Sequence, residues 1–396
     1  MRDALVIGGG PAGASLAVLL ARSGRDVLLV EREPAATDKV CGEFLSREAA
    51  RYLGCLGVDL EALGAVPIER VRVVHRSGVV DAGLPFRAVS LSRRVLDEAL
   101  LQHAADAGVT LLRGAPARSL LPATSGWTAR LANGATVHAR AAFLATGKHD
   151  VHGKKRPQGV QHDLVAFKLH WRLAPIQAEE LSGHVELVLF RGGYAGLQPV
   201  EGGRANLCLL VRRKRLAELG GWSLLLAAIR AEATHLDRRL QGAMPCASRP
   251  LSLSAIPYGY VRRRADGIWH LGDQGAVIPS FSGDGMSIAL HSAQLAASTY
   301  LAGGEPDAFQ AQLARDVAGQ VRLATAFSMA LVRSPAQRAL VALARAIPRI
   351  VTTVAALTRV PDAALARAGL PDATSSVDLQ KPLDVSTHSP RSQPSA

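Results

Sequence analysis

The sequence predicts an α/β fold in which a domain with a parallel sheet carries an inserted antiparallel sheet and is followed by a region of helices. An apolar strand, a glycine-rich turn, a helix and a second apolar strand follow one another over residues 1–31. Apolar residues alternate with period two over much of 161–212. Beyond Glu305 the chain is rich in Ala, Leu and Arg and is interrupted by prolines, which indicates short helices.

The turn at residues 8–13, Gly-Gly-Gly-Pro-Ala-Gly, carries the most specific chemistry. Glycines at 8, 10 and 13 allow a pyrophosphate to approach backbone N–H groups at the start of a helix. Glu31 ends the next strand, about 20 residues beyond the turn, where a carboxylate accepts hydrogen bonds from ribose hydroxyls. No basic segment precedes the apolar run, so a secretory signal is not expected. The pattern predicts a Rossmann-type dinucleotide-binding domain that starts with the first residues.

Composition restricts the possible partners. The 396 residues carry a formal net charge of +13, but aromatic residues make up only 4% and are not interleaved with basic runs, so nucleic acid is not expected as a partner. Basic helix faces leave peripheral contact with an anionic membrane, or with an acidic carrier protein, open. The four cysteines lack metal-ligand spacing, so we expect no metal and a reducing, cytoplasmic location.

Further elements are predicted in chain order. A helix is expected from Ser46, capped by its hydroxyl, and another over 92–107 with Gly108 as its end. Hairpins are expected at 68–80 and 127–139, and a separate buried strand over 141–145. The predicted domains are a nucleotide domain formed by 1–160 and 261–305, an antiparallel substrate domain over 161–260, C-terminal helices over 306–370, and a disordered tail over 371–396.

Four separated segments of the chain resemble the flavoprotein superfamily that includes para-hydroxybenzoate hydroxylase and the geranylgeranyl reductases. They are the glycine turn with Glu31, the segment Ser92-Arg93-Arg94-Val95-Leu96-Asp97, the stretch from Leu271-Gly272-Asp273 to Met286, and Cys41-Gly42-Glu43. The resemblance implies FAD as the cofactor, with Arg93 at its pyrophosphate and Asp273 at its ribityl chain. The FAD-binding residues it implies are Gly8, Gly10, Ala12, Gly13, Glu31, Arg32, Arg93, Gly147, Asp273, Gly283, Gly285 and Met286.

The Cys-Gly-Glu segment and the strand Gly193-Tyr194-Ala195-Gly196-Leu197-Gln198-Pro199 resemble the geranylgeranyl reductase branch in particular. Tyr194, Gly196 and Gln198 are the expected substrate residues. Gly196 stands where those reductases have Trp, and Gln198 where they have Phe, which leaves room for a bulkier ring system. Cys41 is the expected catalytic acid, and Glu43 is expected to tune it or to anchor the loop beside the flavin.

The resulting expectation is an FAD-dependent oxidoreductase, reduced by NAD(P)H or another donor, that acts on a hydrophobic isoprenoid-like or polyketide-like molecule. Reduction of a C=C bond is favoured. Hydroxylation of an aromatic or polyketide ring by a flavin monooxygenase stays open, as does a non-catalytic role as electron carrier or maturation partner.

Three further groups of basic residues lie outside these motifs. The segment from Lys148 to Arg156 is either a solvated loop or an electropositive rim for nicotinamide phosphates or an acidic carrier. Arg338 and Arg345 share one helix face, which is either solvated or in contact with anionic lipid. The isolated histidines 162, 170, 184 and 291 are expected to be structural.

Overall fold

The computed structural model describes residues 1–370, and the predicted tail over 371–396 lies outside the described residues. The strands of this part of the chain, in order, are β1 (Arg2–Ile7), β2 (Val27–Glu31), β3 (Phe44–Leu45), β4 (Val66–His75), β5 (Gly78–Ser90), β6 (Thr110–Arg113), β7 (Ala117–Ala123), β8 (Gly126–Leu131), β9 (Thr136–Leu144), β10 (Leu164–Arg172), β11 (Gly183–Phe190), β12 (Gly193–Val200), β13 (Arg204–Arg212), β14 (Met244–Pro245), β15 (Leu251–Ser254) and β16 (Trp269–His270).

The α-helices over the same residues are α1 (Pro11–Arg22), α2 (Arg47–Cys55), α3 (Arg93–Asp106), α4 (Pro175–Leu181), α5 (Arg213–Leu219), α6 (Trp222–Glu232), α7 (Thr234–Arg239), α8 (Gly285–Leu301), α9 (Pro306–Leu331), α10 (Ser334–Ala346), α11 (Arg349–Leu357) and α12 (Asp362–Arg367). Short 3-10 turns cover Gly272–Gln274 and Ser280–Ser282. The predicted breaks at Pro335, Pro348 and Pro361 coincide with the starts of α10, α11 and α12, where a missing N–H costs nothing.

The first sheet has the strand order β6-β2-β1-β9-β8-β7, with β16 paired to β9. Strands β6, β2, β1, β9 and β16 run parallel, and β7 and β8 form the predicted antiparallel addition. Ile7 pairs with both Val30 and Leu144, so the carboxyl ends of β1, β2 and β9 meet at one edge. The glycine turn therefore lies beside the segments that follow β9 and β16, which is where parallel sheets bind ligands.

The second sheet has the order β14-β10-β13-β12-β11-β4-β5-β3, with β15 paired to β10. It is antiparallel except for the β11–β4 pair. The antiparallel sheet expected over 161–260 is present, and it also takes in β3, β4 and β5, which lie within the residues that the sequence grouped with the nucleotide domain. Helices α6 and α7 cover its outer face, while Tyr194 and Leu210 face the interior of the molecule together with residues of α10.

Two local expectations were wrong in detail. Helix α2 begins after Ser46 as predicted, but the Ser46 hydroxyl bonds the Ser287 hydroxyl at 2.8 Å instead of capping the helix. Residues 136–144 form one continuous strand rather than a hairpin arm and a separate strand, because β9 pairs with β8 at its start and with β1 over its second half. Helix α3 is capped by the Ser92 hydroxyl, which accepts from the Val95 N–H.

Helix α8 packs against α1, while α10 and α11 pack on β4 and β5 and close the space between the two sheets. No single described helix has the length and apolar composition needed to cross a membrane. One pair, Ser334–Ala346 with Arg349–Arg367, meets those criteria jointly but is bent by 114°.

Candidate functional site

A cavity of about 750 Å³ runs from the carboxyl edge of the first sheet to the inner face of the second. Every site residue predicted from the sequence lines it except Gly13. The cofactor, catalytic and substrate residues, which span Gly8 to Met286 in the sequence, are thus brought to one continuous space. A cavity of this size is typical of cofactor and small-molecule sites.

The glycine turn is imposed by close backbone packing. Gly8 has φ +108°, and a Cβ there would lie 2.4 Å from the carbonyl oxygen of Ala145. A Cβ on Gly13 would lie 1.9 Å from the carbonyl oxygen of Gly8, so Gly13 brings α1 against the turn without lining the cavity itself. Gly10 is the N-cap of α1 and lines the cavity, which leaves its backbone open to a ligand at the helix N-terminus.

Two charged side chains flank this turn and fit a dinucleotide. The Glu31 carboxylate, at the end of β2, accepts from the Gly9 N–H at 2.6 Å. The Arg93 guanidinium bonds both oxygens of Asp97, at 2.7 and 2.8 Å, and its Nη2 lies 3.2 Å from the position of a Cβ on Gly10. A fixed guanidinium over a bare glycine turn supplies the charge and the access that a pyrophosphate requires.

Asp273 lies opposite this turn, just after β16. Its carboxylate lies 3.3 Å from the Lys148 ammonium, and its backbone carbonyl accepts from Arg156 Nη1 at 2.5 Å. Burial is the largest single effect and would lower the pKa of Lys148, but the charge and hydrogen bond of Asp273 together with the nearby Cys41 raise it. Gly147 is held by its carbonyl, which accepts from the Gln274 amide at 2.9 Å.

The basic segment around Lys148 is largely paired within the protein. Lys154 bonds Asp266 at 3.0 Å and lies over the Trp127 ring. Arg156 is buried and bonds Asp150 at 2.7 Å. Because these cations are neutralised by carboxylates of the protein, less positive charge is left to bind nicotinamide phosphates or an acidic carrier protein. Arg32, at the other side of the cavity, forms an ion pair with Glu33.

The turn before α8 contains Gly283, Asp284, Gly285 and Met286. Gly283 has φ +68°, and a Cβ there would lie 2.7 Å from the Phe44 ring. Asp284 is fully buried, and burial raises its pKa to about 7 even though the Arg359 guanidinium lies 3.4 Å away. Arg359 also bonds the Ser282 carbonyl, so the C-terminal helices are tied directly to this turn.

The Cys41-Gly42-Glu43 loop is built around the Glu43 carboxylate. Glu43 is fully buried and has φ +62°, a left-handed conformation that is strained for a side chain of this size. One carboxylate oxygen accepts from the Lys168 ammonium and from the Arg93 N–H at 2.9 Å. The other lies 2.7 Å from His170 Nε2. Two elements, β10 and α3, therefore hold this side chain in place.

Burial alone would raise the pKa of Glu43, but the hydrogen bond from His170 and the charge on Lys168 outweigh it, so the pKa is lowered. Glu43 is therefore ionised at neutral pH. Asp38 extends the cluster, with Oδ1 3.9 Å from His170 Nδ1. Asp38, Glu43 and His170 offer three atoms within 4.8 Å of one another, but the Lys168 ammonium already supplies the positive charge that a metal ion would bring.

The backbone of the loop is clamped separately. The Asn206 side-chain amide donates to the carbonyls of Cys41 and Gly42, at 3.0 and 2.9 Å. The Ser90 hydroxyl donates to the Glu43 carbonyl at 3.2 Å. Cys41 Sγ accepts from the Glu43 N–H at 3.4 Å and lines the cavity, so the thiol has a defined position on the cavity wall.

The predicted substrate residues lie on β12 at alternate positions, so they share the face that looks into the cavity. The β12–β13–β10 register places Gln198 beside Asn206 and His170, and Gly196 beside Cys208 and Lys168. Gln198 bonds the Ser90 hydroxyl at 2.5 Å and is buried in this polar row. Tyr194 lies one step further, edge-on to Phe281, and leads into the apolar part of the cavity.

Sequence reasoning missed Lys168 as a site residue and interpreted His170 as merely structural. The signal was present on β10, where Val165, Phe167, Leu169 and Trp171 alternate on one face. Lys168 and His170 occupy the opposite face, and two buried polar groups in mid-strand require a partner. His291 has the structural role expected of it, since it joins the Tyr52 hydroxyl to Asp316 within the core.

Comparison with known proteins agrees with this geometry. Residues 1–165 match the family model described as the FAD binding domain. Menaquinone reductase of Mycobacterium tuberculosis is 28% identical over 313 residues, which cover 74% of this chain and 75% of that protein. Digeranylgeranylglycerophospholipid reductase 2 of Methanopyrus kandleri is 27% identical over 301 residues, which cover 73% of this chain and 74% of that protein.

Solved structures show the same fold at low identity. The halogenase PltM in complex with phloroglucinol and FAD superposes with a TM-score of 0.68 at 16% identity, covering 81% of this chain and 74% of that one. PqsL of Pseudomonas aeruginosa, described as a probable FAD-dependent monooxygenase, superposes with a TM-score of 0.65 at 19% identity, covering 85% of this chain and 98% of that one.

Proposed function

Since the chain is an FAD-dependent oxidoreductase with an FAD binding domain over residues 1–165, we propose that it reduces C=C bonds in the chain of an isoprenoid lipid. Assignment to the FAD-dependent oxidoreductases is supported by the family match and by the relatives. The choice of reaction and of substrate class rests on the wall of the cavity and on the Cys41 loop.

The aliphatic character of the cavity beyond Cys41 carries the proposal. Side chains from β4, β11, β13, α10 and α11 converge there and give the wall long hydrocarbon stretches: Val71, Val73, Val185, Leu187, Leu189, Leu210, Leu340, Val341, Ile350, Val351 and Val354. Glu186 is also on this wall, but its carboxylate bonds Arg239 and Arg72. A polar aromatic substrate would leave its hydroxyl groups without partners in such a space, whereas a prenyl chain would not.

The two departures from the geranylgeranyl reductase pattern fit this interpretation. Gly196 and Gln198 replace two aromatic residues, and they line the same cavity as residues of helices α10 and α11. A Cβ on Gly196 would meet only the Cys208 carbonyl, at 3.8 Å, so the space in front of this residue is open. The same cavity is also lined by aliphatic residues of α10 and α11, which supports a prenyl chain over the bulkier ring system expected from the sequence.

Different residues are proposed to bind the cofactor, to donate the proton and to position the proton donor. Bound FAD supplies hydride transfer, and NAD(P)H is the proposed reductant. The Gly8–Gly10 turn, Arg93, Asp273 and the turn before α8 would hold the cofactor. Cys41 faces the cavity, and its thiol is proposed to deliver a proton to a carbon of the double bond. Glu43, held by Lys168 and His170, fixes the loop that carries the thiol.

The relatives support the same class of reaction. Two proteins named as reductases, one of menaquinone and one of digeranylgeranylglycerophospholipid, align over about three quarters of this chain. Both named substrates are hydrophobic, and the aliphatic wall described above suits such a molecule. The proposed substrate is accordingly a polyprenyl chain carried either by a quinone or by a glycerolipid.

The test uses the FAD-loaded protein, reduced anaerobically, with menaquinone and with a geranylgeranyl glycerolipid as probes. After the products have been reoxidised in air, which returns any quinol to the quinone, mass spectrometry is expected to show a gain of two hydrogens in the prenyl chain. Cys41→Ser is expected to lower the rate at least about tenfold, as loss of a positioned acid does. Cys208→Ser is the matched control, because Cys208 lines the same cavity while burial raises its pKa to about 12 and makes it a poor proton donor.

Monooxygenation or halogenation of an aromatic ring is the second candidate, favoured by the fold that the chain shares with PltM and PqsL. Incubation in air with a phenol, with and without halide, distinguishes it, since the product would gain oxygen or halogen instead of hydrogen. Absence of any product with both classes of substrate would contradict both proposals and leave a role as electron carrier.

A further inference from the structure

The helix pair α10–α11 has an apolar outer face as well as an apolar inner one. Leu340, Val341 and Val351 turn inward and line the cavity. Leu343, Ile347 and Leu357 turn outward and are 46%, 50% and 59% exposed. Leu343 and Ile347 are four residues apart, so they form one stripe along α10 that ends at the break between the helices.

The charge of this segment is entirely positive. Residues 332–361 contain five arginines and no Asp, Glu or Lys. Arg359 turns inward to Asp284, whereas Arg333, Arg338, Arg345 and Arg349 are exposed. Arg345 and Arg349 precede and follow Ile347 by two residues in the sequence, and within the described part of the chain no carboxylate forms an ion pair with any of the four exposed arginines.

Apolar side chains between arginines are the pattern of a surface that enters the interface of an anionic membrane. The two helices are bent by 114°, so the break at Ile347 and Pro348 projects as a blunt corner rather than as a spanning helix. The same two helices separate the cavity from solvent, so a lipid that leaves the membrane at this corner has only one layer of helix to pass.

We infer that the outer face of α10–α11, defined by Leu343, Ile347 and Leu357 with Arg345 and Arg349, docks on anionic phospholipid bilayers and admits the lipid substrate from there. This inference deepens the proposed function, because it identifies the source of a hydrophobic substrate. It depends on no catalytic step, so docking and turnover are measured separately.

The experiment is co-flotation of the full-length, FAD-loaded protein with vesicles of phosphatidylglycerol and phosphatidylcholine, and with vesicles of phosphatidylcholine alone. We expect binding to the anionic vesicles that weakens steeply between low and physiological salt. Each arginine near an anionic surface contributes roughly fivefold to partitioning. Arg345→Glu with Arg349→Glu is therefore expected to weaken binding at least about 25-fold.

Matched controls distinguish binding through this face from effects of net charge or of exposed apolar side chains elsewhere on the protein. Arg213→Glu with Lys214→Glu, on α5, makes the same change in net charge at another surface and is expected to change binding much less. Leu343→Ser with Ile347→Ser is expected to weaken binding at least about tenfold. Ile176→Ser with Leu224→Ser changes two residues elsewhere that are more exposed still, and it is expected to leave binding unchanged. The FAD absorbance spectrum confirms that each variant is folded.

Three results would overturn the inference. One is equal weakening by the control pairs, another is absence of binding to either kind of vesicle. The third is a shift from dimer to monomer in light scattering on Leu343→Ser with Ile347→Ser, which would mean that a second copy of the chain covers this face. Loss of turnover with intact flotation would instead contradict only the proposed function.

Discussion

Replacement of Glu43 by Gln tests the centre of the site. The change preserves shape but removes a buried negative charge and leaves the Lys168 ammonium, 1% exposed, without its counterion. Breaking one side of a buried ion pair costs about 3–5 kcal/mol of unfolding free energy. We expect that loss in urea unfolding of the FAD-free protein, together with release of the Cys41 loop and a large fall in reductase rate.

The double variant gives the sharper measurement. Lys168→Met alone leaves Glu43 with His170 as its remaining side-chain partner and is expected to cost a similar amount. Glu43→Gln with Lys168→Met removes both charges, so its loss should fall short of the sum of the single losses by at least about 2 kcal/mol. Glu98→Gln is the control, since its exposed pair with Arg113 is worth about 0–1 kcal/mol.

The pH dependence has a defined sign. The pKa of Glu43 is lowered in the folded protein, so its ionised form stabilises the fold above the pKa of the unfolded chain and this stability is lost on acidification. The wild-type protein should lose more stability than Glu43→Gln as the pH falls below about 4. Additive single losses, together with identical acid profiles for wild type and Glu43→Gln, would refute the interpretation of Glu43 and Lys168 as a coupled pair.

Three further predictions concern other parts of the site. Gly13→Ala should abolish FAD binding, measured by quenching of flavin fluorescence, because its Cβ would lie 1.9 Å from the carbonyl oxygen of Gly8. Gly319→Ala in α9 is the control: a Cβ there meets nothing within 4 Å, so the change should stabilise the protein by about 0.5–1 kcal/mol. The pKa of Asp284 is 3.8 in its ordinary state and about 7 in the folded protein, so the wild-type protein loses stability as the pH rises between these values. Asp284→Asn should remove this loss, so that the FAD-free variant and wild type differ in unfolding free energy by up to about 4 kcal/mol at pH 8 and converge at pH 4. Parallel curves of stability against pH would contradict the prediction. Asn206→Ala should release two carbonyls of the loop and increase the rate at which a thiol reagent modifies Cys41, and an unchanged rate would mean that the carboxylate of Glu43 alone fixes the loop.

The sequence by itself determined the nucleotide half of the protein. The Gly8–Gly13 turn, Glu31 and the helix that begins at Arg93 are local patterns, because each depends on backbone geometry or helix capping within a few residues. The period of two predicted the antiparallel strands, and the prolines at 335, 348 and 361 marked the C-terminal helices. Such signals can be recognised in sequence because the interactions behind them are short in range.

Only the tertiary structure decided what surrounds the thiol. The partners of Glu43 lie 125 and 127 positions away on β10, and the strands that complete the second sheet come from a segment that the sequence grouped with the other domain. The apolar cavity wall is assembled from strands and from helices near the end of the chain. No local pattern records which buried groups meet, because the register between distant strands and the packing of α10–α11 are set by the whole core.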